Sequence, residues 1–121
     1  MRPSRRRTIP LQIHAGIESI AAAGIMAAPF LLGLSAGPTA IAVGLGVMLL
    51  ALSVETVAPS RSIPVSAHQG FDYVLAVVAT GAGIVTGLAT GDLVATVFLV
   101  GVGAALAALT AATRFSVPRG A

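Results

Sequence analysis

The sequence predicts an all-α membrane protein, a four-transmembrane-helix bundle made of two tandem, parallel two-helix repeats. The first observation is composition: 56% of the 121 residues are hydrophobic and 9% are charged, whereas soluble domains carry about 25% charged residues. The second is length, because a hydrocarbon layer about 30 Å thick takes roughly 20 apolar residues per crossing. The chain therefore has room for four crossings and short loops. The third is an internal repeat.

The repeat is clearest at the start of each half. The pattern R-[TS]-I-P-[LV]-x-x-H-x-G-[IF]-[ED] occupies residues 7–18 and recurs at residues 61–72 without a gap. Shared Arg, Pro, His, Gly and acidic positions at one offset exceed what similar composition produces. Because each repeat holds two crossings, both halves enter the membrane in the same direction, as in parallel-repeat membrane proteins. We therefore expect His14 and His68 at equal depth.

The chain divides into a basic tail, two repeats of two spans each, and a C-terminal tail. The predicted boundaries are residues 1–9 for the basic tail, 10–60 for repeat 1 with spans 11–34 and 39–57, 61–114 for repeat 2 with spans 67–88 and 92–113, and 115–121 for the C-terminal tail. Pro10 suits a helix start, where no backbone N–H is needed. Pro29 should loosen the last turns of the first span.

A linker at residues 58–64 joins the spans of the first repeat to those of the second repeat, and its two prolines and arginine predict a break between helices. The second repeat is rich in small residues. Its first span contains Gly83 and Gly87, and this G-x-x-x-G spacing often marks a helix crossing in membranes. The next turn offers Asp92 or Thr90 as the N-cap of the fourth span. We therefore expect close packing within this hairpin.

The charges predict the orientation. All seven basic residues are arginines, and they lie before the first span, in the central linker or after the fourth span, while the turns near positions 36 and 90 hold none. Positively charged loops stay on the cytoplasmic side. We therefore expect a multi-pass protein of the bacterial cytoplasmic membrane with both termini in the cytoplasm.

A polar cluster is expected at that cytoplasmic side. Glu55 falls in the last turn of the second span, where the helix dipole disfavours an anion unless a cation is near. Arg7 and Arg61 are the arginines nearest to the starts of the two repeats. We expect Glu55, Arg7 and Arg61 to group together there.

Four residues are candidates for chemistry: His14, Glu18, His68 and Asp72. In each pair the histidine and the acid are four residues apart, hence on one helix face and one turn apart. The interpretation that the sequence favours is structural. Glu18 lies about 12 Å from a helix start at Pro10, so water and headgroups should reach it, and the two pairs would pin helix ends together.

Two alternatives use the same four residues. His14 and His68 on facing helices would hold a haem iron axially, or the two histidine–carboxylate pairs would bind a transition-metal ion. In the other alternative, Glu18 and Asp72 carry protons in a small transporter or channel, since ionisable residues inside spans are functional candidates. The scattered Ser and Thr residues of the spans form no continued polar path, which counts against proton conduction.

The sequence lacks the residues and motifs that the remaining classes of function require. The chain has no cysteine, two histidines cannot by themselves make a zinc hydrolase centre, and the glycine pairs lie inside apolar helices rather than after a strand. No basic face with interleaved aromatics supports nucleic-acid binding. We expect a non-enzymatic component that lies in the lipid bilayer and packs as a homo-oligomer or with a larger membrane-protein partner.

A short stretch resembles a known family. Two-span repeats with a proline–aromatic pair late in the first span and a glycine three residues after the aromatic residue are similar to the SPW-repeat family of small bacterial membrane proteins. The matching residues are Pro29, Phe30 and Gly33. Ala28 stands in place of the family's serine and Phe30 in place of its tryptophan, and the second copy keeps only Gly87. The resemblance implies a membrane fold and supplies no catalytic residues.

Overall fold

Four long helices account for nearly all of the residues that the computed structural model describes, which are 8–58 and 63–115. Their bounds are α1 (Leu11–Leu32), α2 (Ala36–Val57), α3 (Val65–Thr90) and α4 (Leu93–Ala112). The predicted all-α fold is confirmed, and the predicted ends of the spans differ from the observed ones by at most a few residues.

The ends of the helices follow local chemistry. Gly33 and Gly91 terminate α1 and α3 with φ of 67° and 70°, a left-handed conformation that glycine adopts without a steric penalty. Asp92 caps α4 by accepting the Ala95 N–H at 3.0 Å, as predicted. Helix α2 begins three residues earlier than expected, because Pro38 lies in its first turn, where backbone N–H groups have no partner within the helix.

The helices pack as two tight hairpins, α1 with α2 and α3 with α4, whereas α1 and α4 touch at few positions. Glycines allow the close approach within the second hairpin. A Cβ atom at Gly83 would lie 3.0 Å from the Val100 backbone nitrogen, and one at Gly103 would lie 2.7 Å from the Ala76 carbonyl oxygen. Gly87 likewise lies against Thr96 of α4.

The outer surface is apolar. Ile20, Leu31 and Leu88 are 78%, 86% and 84% exposed, which suits contact with lipid chains. Each of the four helices is long and apolar enough to cross a membrane. The buried core between them is made mainly of leucine and alanine. These features fit a small multi-pass integral membrane protein.

Two short strands, one near each end of the described chain, pair with each other, and the sequence did not predict them. Strand β1 (Ile9–Pro10) pairs in parallel with β2 (Thr113–Arg114), with Ile9 opposite Thr113. Residue 113 therefore leaves the predicted fourth span and enters an extended segment. The pairing brings the end of α4 against the start of α1.

A buried histidine–carboxylate cluster

The four candidate residues meet at one end of the bundle. His14 and Glu18 lie on α1, and His68 and Asp72 lie on α3. Their exposed fractions are 0%, 1%, 4% and 0%. The expectation that water reaches Glu18 is therefore wrong in this structure, because the second hairpin and the segment after α4 cover the helix end.

The carboxylates bridge the two imidazoles. His14 Nε2 lies within hydrogen-bonding distance of Glu18 Oε2 and of Asp72 Oδ2, 2.9 Å from each. His68 Nε2 lies 3.1 Å from Asp72 Oδ2 and 3.4 Å from Glu18 Oε1, yet the angles do not make hydrogen bonds. The ring centroids are 5.6 Å apart. Both Nε2 atoms therefore point into one small space that both carboxylates share.

Two threonines fix the opposite side of each ring. The Thr113 hydroxyl donates to the Leu109 carbonyl at 2.6 Å and accepts from His14 Nδ1 at 2.7 Å. The Thr56 hydroxyl donates to the Leu52 carbonyl at 2.8 Å and accepts from His68 Nδ1 at 2.8 Å. Because each hydroxyl hydrogen goes to a backbone carbonyl, the network assigns a hydrogen to both Nδ1 atoms. The Nε2 atoms are left to face the carboxylates.

Two further side chains complete the surroundings. Ser53 of α2 donates to Glu18 Oε1 at 3.4 Å. The ring of Phe115, just after β2, has its centroid 5.1 Å from that of His14 and 5.7 Å from that of His68. Within the described residues, Asp72 Oδ1 has no hydrogen-bond donor. The cluster thus has an apolar cover and unused acceptor capacity.

Sequence reasoning found the four central residues and missed those around them, which are Ser53, Thr56, Thr113 and Phe115. Thr56 has a repeat counterpart in Thr110, which was the one available signal. Thr110 makes no hydrogen bond to a histidine of the kind that Thr56 makes to His68. The Thr110 hydroxyl finds no partner in the described chain, and Thr113, one turn later, contacts His14 instead.

The other predicted polar cluster is only partly visible. Arg7 and Arg61 lie outside the described residues. Glu55 accepts the backbone N–H of Ile63 at 3.0 Å. This bond ties the end of α2 to the residues that precede α3.

The geometry of the four central residues suits a metal ion. One ligand atom from each residue can be chosen so that all four lie within 4.8 Å of one another. Around a tetrahedral ion with bonds of about 2.0–2.1 Å, neighbouring ligand atoms are about 3.3–3.4 Å apart. The nitrogen–oxygen separations of 2.9 to 3.4 Å are close to this value. Separations in the set that reach up to 4.8 Å would shorten when an ion draws the four side chains together.

Fold and hydropathy thus define a small four-helix integral membrane protein with a buried polar cluster. No protein-family model, curated protein or solved structure matches the chain. The resemblance to the SPW-repeat family stays a prediction.

Proposed function

We propose that the protein binds one divalent transition-metal ion inside the membrane, with His14, Glu18, His68 and Asp72 as its ligands. The observation that carries the proposal is the convergence of two imidazoles and two carboxylates, all buried, on one space. Metal-bound histidines almost always donate their second ring N–H to a fixed acceptor. Thr113 and Thr56 are such acceptors.

Charge supports the same proposal. A carboxylate that is buried away from water is unfavourable unless a positive charge compensates it, and this cluster buries two of them. One divalent cation with two neutral imidazoles balances both carboxylates. A mixed imidazole and carboxylate set suits ions such as Zn²⁺, Fe²⁺ or Mn²⁺ better than the soft ions that thiolates select.

The same distances argue against haem. In an axial arrangement the porphyrin plane lies between the two Nε2 atoms. Here Asp72 Oδ2 occupies that position, 2.9 Å from one Nε2 and 3.1 Å from the other. We therefore propose a single ion and not a macrocycle.

Proton conduction is also less well supported. Beyond the cluster, the described core continues through Leu49, Leu75 and Leu99, which are buried and apolar. A proton relay needs polar groups or water along its length. The cluster lies at one end of this apolar layer.

A structural role is the second candidate, and the 2.9 Å contact between His14 of α1 and Asp72 of α3 favours it. In that case the cluster is a polar clamp, meaning that the four residues only hold the hairpins together. Interhelical polar contacts in membranes contribute about 0.6 kcal/mol on average. The clamp and the metal site differ in whether a metal is bound with definite stoichiometry.

Metal titration separates the two. The full-length protein, purified in detergent and treated with a chelator, is titrated with Co²⁺, whose visible absorption reports its coordination. We expect one Co²⁺ per chain, displaced by Zn²⁺. His68→Gln and Asp72→Asn should each weaken binding by more than the roughly 10–100-fold that loss of an outer partner causes.

Asp92→Asn is the matched control, because it makes the same chemical change at the cap of α4, where the side chain contacts Ala95. It should leave Co²⁺ affinity unchanged. Circular dichroism checks that each variant keeps its helices. Absence of saturable Co²⁺ binding, or equal affinity in Asp72→Asn and Asp92→Asn, would overturn the proposal and leave the clamp.

We also propose that the end of the bundle that carries the cluster faces the cytoplasm of a bacterial cell. The support is the placement of all seven arginines before the first span, in the central linker or after the fourth span. Assembly with itself or with a larger membrane partner, and the lack of an enzymatic activity, stay predictions from the sequence.

A further inference from the structure

The described chain ends in a strap, residues 113–115, that lies over the histidine–carboxylate cluster. Thr113 accepts the hydrogen bond from His14 Nδ1 at 2.7 Å, and the part-buried ring of Phe115 contacts both imidazoles. The backbone of the strap joins the bundle through the pairing of β2 with β1, two residues on each side. Segments with few buried contacts open locally at a low cost in free energy. The strap is therefore the part of the cluster's surroundings that opens most readily.

The other sides of the cluster are closed to an ion within the described residues. Helices α1 and α3 carry the ligands, and Ser53 and Thr56 of α2 contact them. A crevice beside His68, lined by Leu11 among others, leaves no room for a water molecule. A groove between α1 and α4 reaches Glu18, but its other walls are apolar and cannot replace the water around an ion. Movement of the strap would uncover both imidazoles.

A second observation concerns Thr110, the repeat counterpart of Thr56. Thr56 closes α2 and accepts a hydrogen bond from His68 Nδ1 at 2.8 Å. Because His14 is the counterpart of His68, the equivalent bond would run from His14 to Thr110. The Thr110 hydroxyl is instead fully buried without a partner in the described chain, which is unfavourable. The repeat thus offers His14 a second acceptor, one helical turn before Thr113.

We propose that the strap opens to admit an ion to the cluster, and that His14 passes its Nδ1 hydrogen bond from Thr113 to Thr110 while the strap is open. The exchange of acceptors lowers the cost of opening, because the buried N–H of His14 has a partner in both states. The admission of an ion rests on the proposed metal site. The opening and the exchange of acceptors do not need a bound ion.

A reversible crosslink tests the opening. Pro10 and Arg114 are direct partners in the β1–β2 pair, and both are exposed. Paired strands lie about 4.8 Å apart, a separation of Cα atoms that suits a disulfide. The double variant Pro10→Cys/Arg114→Cys therefore locks the strap when it is oxidised, in a chain with no other cysteine. The reduced form of the same sample is the matched control.

Diethyl pyrocarbonate reports the opening without an ion. The full-length protein, purified without a histidine tag, is treated in detergent with a chelator present. The hydrogen-free Nε2 of an imidazole attacks a carbonyl carbon of the reagent, a C–N bond forms, monoethyl carbonate leaves, and Nδ1 releases its proton. His14 and His68 are the only histidines of the chain, so mass spectrometry assigns the product.

We expect the oxidised crosslinked variant to react at least about tenfold more slowly than its reduced form, because the reaction then needs a wider unfolding. Equal rates in the two forms would overturn the proposal.

Single substitutions test the parts of the strap. Phe115→Ala removes the cover and should speed the reaction at least about tenfold. Phe30→Ala is the matched control, because Phe30 is 70% exposed near the opposite end of α1, and it should react like the wild type. Thr110→Val removes the second acceptor and should slow the reaction about tenfold, whereas Thr110→Ser should keep the wild-type rate. Equal rates in Phe115→Ala and Phe30→Ala, or in Thr110→Val and the wild type, would overturn the proposal.

The kinetics of Co²⁺ binding relate the strap to the metal site. The oxidised crosslink and Thr110→Val should slow Co²⁺ entry and release by the same factor and leave the equilibrium affinity unchanged, since the strap is closed before and after binding. Co²⁺ entry at a rate that the crosslink does not change would overturn the strap and keep the metal site. The expected histidine modification without any Co²⁺ binding would overturn the metal site and support the opening.

Discussion

Thr113→Val removes the hydrogen-bond acceptor of His14 Nδ1 and leaves all four proposed ligand residues unchanged. Valine keeps the shape of threonine but cannot accept the hydrogen bond from His14 Nδ1, which is 2.7 Å long in the native structure. His14 is fully buried, so its N–H would be left without an acceptor. An unsatisfied buried donor costs about 1–3 kcal/mol.

The membrane reference state reduces this cost, because polar groups of an unfolded chain in a micelle also find partners. We therefore expect Thr113→Val to lower the free energy of unfolding by about 1–2 kcal/mol. Loss of an outer partner should also weaken Co²⁺ binding by about 10–100-fold. Unfolding is followed by circular dichroism in mixed micelles, and Co²⁺ affinity by visible absorption.

Thr110→Val is the matched control for this prediction. Thr110 is fully buried, lies one turn from Thr113 on the same part of the chain, and has no hydrogen-bond partner in the described residues. Removing its hydroxyl should leave stability unchanged or raise it, and Co²⁺ affinity should not change. Thr113→Ser should restore both quantities. Equal effects of the two valine substitutions would refute the assigned role of Thr113.

Two further predictions concern packing and topology. Gly103→Ala should destabilise the bundle by about 1–3 kcal/mol, because the new Cβ would lie 2.7 Å from the Ala76 carbonyl oxygen. The control Gly44→Ala places its Cβ in open space and should be neutral or stabilising by up to about 1 kcal/mol. Equal losses of unfolding free energy in micelles would contradict this prediction. For topology, Ser35→Cys should react with an impermeant thiol reagent in intact cells, and Ser4→Cys only after permeabilisation. The reverse pattern would place the arginines outside.

Much of the fold followed from residue patterns, since four apolar stretches leave few alternatives in a lipid environment. Asp92 was identifiable as a cap because its side chain acts on its own helix. The contact between His14 and Asp72 was harder to predict from the sequence, because helical spacing relates residues within one helix and does not determine how two hairpins pack together. Thr113 was unpredictable for the same reason: its contact depends on the chain leaving α4 and pairing beside Pro10.

The pairing of β1 with β2 has a consequence for the order in which the protein matures. His14 is made early, but its acceptor Thr113 and the covering ring of Phe115 come from the last described residues of the chain. The cluster therefore cannot be completed until synthesis has passed the fourth helix. An ion captured with all its supporting contacts would therefore mark a chain whose fourth helix is already in place.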